Sequence, residues 1–325
     1  MDFIHTVYSS YPCAGESDSV RQFFWATVAA TWLLSFVPQH GRRNYSIVDR
    51  LWSLFPLLLT VQWAYHQDGS PTQLTFISKP QAAVVLVTVW SLRLTYSSIR
   101  RGDYAVGAED YRWAHVRSSF DRALGSHGIL RTVAWELFNF SFISLFQLAL
   151  LYQISVPVRQ ILANNTEWST PQLALAAVMS LLLVAEAVAD CQQYELQRLK
   201  RPGVLASEPN RAYAETRLPE VNAGFVYSGL WRVSRHPNVF CEQAFWIAIA
   251  SFAYIDGGCA FGLFAGAALL VSLMWASVGL TESISLRKYP LYRAYQLKTS
   301  RLVPCLPRSN AQVVGAAYKH QKKPE

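Results

Sequence analysis

Long apolar runs separated by shorter polar stretches set the pattern of this chain. The runs lie near residues 20–38, 50–66, 80–99, 129–155, 171–190, 240–256 and 259–281. A helix rises about 1.5 Å per residue, so about 20 apolar residues cross a hydrocarbon core of roughly 30 Å. Each run is near that length. The pattern therefore predicts an all-α fold, a polytopic transmembrane helix bundle of about seven spans over residues 20–283. A lumenal tail, 1–19, precedes it, and a cytosolic tail, 284–325, follows it.

Composition agrees with that reading. The 325 residues are 52% hydrophobic and only 15% charged, with a mean hydropathy of +0.15, too apolar for an ordinary soluble domain. No internal repeat or low-complexity tract stands out, so the chain reads as one membrane domain. Residues 1–20 carry Asp2, Glu16 and Asp18 and no basic stretch before a short apolar core. No cleavable signal peptide is therefore expected, and the first span would serve as the insertion signal.

The net charge of +8 would suit a nucleic-acid partner, but its distribution argues for topology instead. Segments 39–46, 100–128, 191–239 and 284–325 carry 23 of the 29 Lys and Arg residues. By the positive-inside rule these segments are cytosolic, which puts the N-terminus outside and the C-terminus inside. Asn164-Asn-Thr166, a glycosylation acceptor pattern, then falls on a lumenal loop. The chain ends Lys322-Lys323-Pro324-Glu325, which resembles the di-lysine signal read by coat proteins. That predicts a multi-pass protein of the endoplasmic reticulum membrane with a cytosolic C-terminus. The five cysteines, Cys13, Cys191, Cys241, Cys259 and Cys305, are scattered, which argues against a disulfide framework and a structural zinc site.

Two long cytosolic loops, 100–128 and 191–239, are dense in charged and aromatic residues. Ionisable groups also sit in or beside the spans: Asp49, Arg50, Arg93, Arg131, Glu136, Glu186, Asp190, Glu242 and Glu282. Such groups are costly at membrane depth, so they face one another, a cavity or the bundle interior. The densest cluster is Gly229-Leu-Trp-Arg-Val-Ser-Arg-His-Pro-Asn-Val-Phe-Cys-Glu242. Arg235 offers a forked donor set, His236 can donate from either nitrogen, Asn238 donates and accepts, and Glu242 accepts. Those are the chemistries that a phosphate or ribose requires. A basic anchor on lipid headgroups would need neither Asn238 nor Glu242.

That stretch, with its continuation to Trp246, Leu286-Arg-Lys-Tyr-Pro-Leu-Tyr-Arg-Ala-Tyr-Gln296 and Pro304, resembles the signature of the steroid 5-alpha-reductase C-terminal-domain family. The likeness extends upstream to Asp49-Arg-Leu-Trp-Ser53, to the stretch from Arg93-Leu to Arg112-Trp113, and to Ala189-Asp-Cys-Gln-Gln193 through Lys200, following an uncharacterised branch of that family. It covers about residues 45–305. The resemblance implies a membrane-embedded reductase that uses NADPH to saturate a carbon–carbon double bond conjugated to a carbonyl, in a steroid or other lipid. It places the cofactor on Asn238 and Glu242 and on the block around Gln193 and Lys200, where Lys200 could meet a phosphate; Asp190, Arg235, His236 and Glu282 complete the cofactor-binding candidates. It offers Tyr104, after the Arg101-Gly102 pair, as the group that polarises the substrate carbonyl.

One departure stands beside the likeness. The steroid reductases assist their tyrosine with a Glu just before a Pro in the second span, and here Leu54-Phe55-Pro56 supplies no acid. Asp49, about two turns earlier, is the nearby substitute. On chemical grounds a donor at Tyr104 stabilises the negative charge that hydride addition leaves on a carbonyl oxygen, while the nicotinamide carries the reducing power. No G-x-G-x-x-G opens a helix, so NADPH would bind within the bundle. Two other readings stay open. Membrane methyltransferases share the Arg-His-Pro core, and Glu282 with Tyr292-Arg-Ala-Tyr295 suits S-adenosylmethionine. A non-catalytic lipid-binding protein would tolerate the missing acid.

Overall fold

The computed structural model describes residues 17–39, 43–66, 78–125, 128–164 and 166–307. Among them there is no β-strand, so the protein is all-helical. The helices in chain order are α1 (Asp18–Leu34), α2 (Ile47–Leu51), α3 (Phe55–His66), α4 (Lys79–Arg101), α5 (Tyr111–Leu124), α6 (Gly128–Phe138), α7 (Gln147–Ala163), α8 (Thr170–Leu199), α9 (Arg211–Ala223), α10 (Pro237–Ile255), α11 (Ala260–Lys288) and α12 (Tyr292–Lys298). A π-helical stretch, Asn139–Phe146, joins α6 to α7, and a 3-10 turn, Gly229–Arg232, precedes α10. The di-lysine end, most of the N-terminal tail and the middle residue of the glycosylation pattern lie outside the described residues.

Among the described residues, five helices are long and apolar enough to cross a membrane: Lys79–Arg101, Gly128–Ala163, Thr170–Leu199, Pro237–Ile255 and Ala260–Lys288. The other two apolar runs are helical as well, but α1 has 17 residues and the second run is divided between α2 and α3. Pro56 accounts for the division: it has no N–H for the carbonyl of Trp52, so the helical ladder breaks ahead of it. The freed turn is held from α4, where Ser91 Oγ donates to the Ser53 carbonyl at 2.6 Å.

Both long polar segments contain helices that the hydropathy pattern does not announce. Asp110 caps α5 by accepting from the Arg112 amide at 2.8 Å, and Asn210 caps α9 by accepting from the Tyr213 amide at 3.0 Å. Helix α8 runs nine residues past the predicted end at 190. Nothing between Cys191 and Leu199 breaks it, and Arg201-Pro202-Gly203 follows.

The chain divides into two compact units, Met1–Ser180 with Trp246–Ser272, and Leu181–Phe245 with Leu273–Glu325. In the first, the bare Cα of Gly266 lies so close to α7 that an added Cβ would stand 2.5 Å from the Gln153 carbonyl group and the Ile154 nitrogen. Small residues permit this kind of close approach between helices in lipid. Trp90 and Trp246 meet edge to face at 4.9 Å, both fully buried. Lys79, fully buried, donates to Asp256 at 2.7 Å and Thr166 at 2.5 Å. Phe138, Phe142 and Phe146 stack along the π-helical stretch at 5.0 and 5.3 Å. In the second unit, Leu196, Val226 and Trp231 form a buried cluster with Val221 against it.

Candidate active site

The second unit builds its polar centre on the start of α10. Pro237 opens the helix, where its missing N–H costs nothing, and Arg235 and His236 immediately before it are buried. Arg235 meets Glu282 of α11 fork to fork, Nε to Oε1 at 2.6 Å and Nη2 to Oε2 at 3.2 Å. Its Nη1 donates to the carbonyls of Gln296, at 3.0 Å, and Thr299. His236 Nε2 faces Glu282 Oε1 at 3.1 Å; a carboxylate only accepts, so this nitrogen carries the proton. Gln296 Nε2 donates to Glu282 Oε2 at 3.0 Å. The Arg-His-Pro stretch and Glu282 thus form one buried network that clamps the entry to α10 onto α11 and the α12 region.

At the second residue of α10 the chemistry changes. Asn238 Nδ2 donates to Asp190 Oδ1 of α8 at 3.3 Å, while Asn238 Oδ1 is buried without a hydrogen-bond partner. Gln243 Nε2 is buried and without a partner as well. Glu242 and Asp190 are 5% and 7% exposed, and Glu186, one turn before Asp190, is 2% exposed. Gln193, three residues after Asp190, is half-buried. The unmatched buried acceptor of Asn238, whose amide is already bonded to the buried Asp190, is a group that a donor on a ligand would satisfy.

Lys200 at the end of α8 donates to the Gly224 carbonyl at 2.8 Å and to the Tyr289 hydroxyl at 3.1 Å. Burial works against ionisation of Tyr289, but Lys200 and Lys288 outweigh it and hold the phenol below its usual range. Gly224 is required here twice over. Its φ is +87°, and a Cβ would fall on the Tyr289 ring. Gly229, at φ +58°, admits the side chain of Gln192 in the same way, and Gln192 Oε1 accepts from the Leu230 amide at 3.1 Å.

In the first unit the loop after α4 is tied to α2. Arg50 donates to three backbone carbonyls, Asp103 at 3.1 Å, Ala105 at 3.1 Å and Ala108 at 3.2 Å. The hydroxyl of Tyr104 donates to the Arg50 carbonyl at 2.7 Å and lies 3.0 Å from Ser53 Oγ. Arg101, next to the loop, pairs with Asp103 at 2.9 Å. The carboxylate of Asp49 accepts from Trp113 Nε1 at 2.9 Å. Burial raises its pKa above the usual range, against the pull of the Trp113 hydrogen bond and nearby Arg112. Tyr104 is therefore fastened to residues 46–53, the stretch that carries Asp49, while Asp49 itself is held by Trp113 of α5. Hydropathy and motif reading pass over Ser53, Thr95 and the carbonyl-clasping role of Arg50, because Ser and Thr in a span carry no distinctive pattern.

Among relatives, an uncharacterised protein of Schizosaccharomyces pombe is 32% identical over 278 residues, covering 84% of this chain and 76% of its own length. No solved structure matches. A family model matches residues 35–299, which takes in α2 through α12, the Arg235–Glu282 network and the Tyr104 loop. The chain belongs to that family, described as Protein of unknown function (DUF1295).

Proposed function

We propose that this protein is an NADPH-dependent oxidoreductase of the endoplasmic reticulum membrane that saturates a conjugated carbon–carbon double bond in a steroid or other lipid. One observation carries the reading most. Asn238 and Asp190, which the resemblance selects from two separate stretches of sequence, are joined by a hydrogen bond, and the acceptor of Asn238 is left buried and unmatched. NADPH, when bound, supplies a hydride. Asn238, Asp190, Glu242 and Gln193 offer donors and acceptors for its amide and ribose hydroxyls, and Lys200 offers a cation for a phosphate. Arg235, His236 and Glu282 hold the start of α10 so that Asn238 and Glu242 keep their places. Tyr104 meets the negative charge that develops on a substrate carbonyl oxygen, where a positioned donor lowers the barrier.

The test is cofactor binding by purified full-length protein in detergent, followed by tryptophan fluorescence and calorimetry. Wild type should bind NADPH, and Asn238→Ala and Glu242→Ala should weaken binding at least tenfold without loss of fold. A folded wild-type protein that fails to bind NADPH would sink the proposal, and binding of S-adenosylmethionine in its place would move the assignment to a transferase. A lipid comparison between cells with and without the protein should show an accumulated unsaturated species.

A further inference from the structure

We infer that Ser53 and Thr95 are positioning residues for Tyr104, forming a one-way chain of hydroxyls that anchors the phenol oxygen. The inference rests on the reductase reading only in giving Tyr104 a proton to deliver. Thr95 Oγ1, on α4, donates to Ser53 Oγ at 2.8 Å. Ser53 Oγ stands 3.0 Å from the Tyr104 hydroxyl, and Tyr104 donates to the Arg50 carbonyl at 2.7 Å.

Counting protons fixes the direction. Each hydroxyl has one to give. That of Tyr104 lies on the Arg50 carbonyl and that of Thr95 lies on Ser53, so the proton between Ser53 and Tyr104 belongs to Ser53. The phenol oxygen is then an acceptor from Ser53 and a donor to one carbonyl. A substrate carbonyl has only the Arg50 oxygen to displace, while Ser53 keeps hold of the ring oxygen throughout.

Delivery of the proton breaks the Tyr104 O–H bond, forms an O–H bond on the substrate oxygen, and leaves a phenolate that later regains its proton from water. An O–H donor to an anionic oxygen makes a shorter, stronger bond than one to a neutral oxygen. The Ser53 bond therefore strengthens as the charge forms on Tyr104, and the donation from Thr95 polarises it further. Ser53 is 2% exposed and its carbonyl is held by Ser91, so its hydroxyl cannot swing away without losing packing. A carboxylate is absent from Leu54-Phe55-Pro56, and this chain of neutral hydroxyls occupies the role without burying a charge.

The experiment places 3-fluorotyrosine at position 104 of the full-length protein in detergent and reads the ring by fluorine NMR at neutral pH. Thr95→Val, which keeps the shape and removes the hydroxyl, should shift and broaden the sharp resonance of the anchored ring. Ser53→Ala should shift it at least as far, and Thr95→Ser should restore the wild-type line. NADPH affinity should not change in any of the three. An unchanged resonance in folded Thr95→Val protein overturns the inference. Loss of NADPH binding by wild type would instead remove the reductase reading, while the spectra still decide whether the chain anchors Tyr104.

Discussion

Arg235 and Glu282 face each other fork to fork, at 2.6 and 3.2 Å, with both side chains about nine-tenths buried. A pair taken this far out of water is sustained by its other bonds, and here the remaining capacity is filled by His236, Gln296 and the Thr299 carbonyl. Removing one partner leaves the other charged and dry. Glu282→Ala should therefore cost about 3–5 kcal/mol, seen as a sharply lower thermal midpoint in detergent. Wild-type stability in that variant would mean that water already reaches Arg235.

Gly224 and Tyr289 give a prediction with two separable parts. Gly224→Ala should destabilise by about 2 kcal/mol, from the left-handed backbone and from overlap with the ring. Tyr289→Ala in the same chain should relieve only the overlap. A double-mutant cycle measures the split, and strict additivity would show that the ring does not press on position 224.

The Lys200–Tyr289 pair should be visible in an alkaline titration. Tyr289 is held below the ordinary phenol value, so the folded protein releases this proton before the unfolded chain does. The pairing with tyrosinate adds stability above the unfolded value near pH 10, and that contribution is lost as pH falls through the lower, folded one. Tyrosinate absorbance should lose its earliest component in Tyr289→Phe, and in Lys200→Met that component should move to higher pH. An early component that persists in Tyr289→Phe belongs to another residue.

Gly266 tests the packing of the first unit. With backbone atoms of Gln153 and Ile154 only 2.5 Å from the position of an added Cβ, no side-chain rotation can make room. Gly266→Ala should cost about 1–3 kcal/mol and Gly266→Leu should abolish a monodisperse folded product, read by size-exclusion chromatography. Normal behaviour of the leucine variant would show that α11 can move off α7.

Much of the architecture was legible in the apolar pattern, because the bilayer imposes one length and one kind of secondary structure on every span. The helices of the polar segments were not. Their signals are single capping residues, Asp110 and Asn210, which are common in any loop. The division between α2 and α3 was latent in Pro56, whose missing N–H breaks the ladder in a run that hydropathy reads as continuous.

The candidate site divides in the same way. The order of residues determined that Arg235, His236, Asn238 and Glu242 share the start of one helix and that Asp190 and Gln193 share another, since local spacing is set by the chain itself. Only the tertiary structure decided which of them are consumed by one another. Arg235 is spent on Glu282 and two carbonyls, whereas Asn238 reaches Asp190 and keeps an unmatched oxygen. It also brought Ser53 and Thr95, 42 positions apart, to within 2.8 Å beside Tyr104. Hydrogen bonding depends on distance through space, and no pattern along a chain encodes which distant partner will saturate a donor.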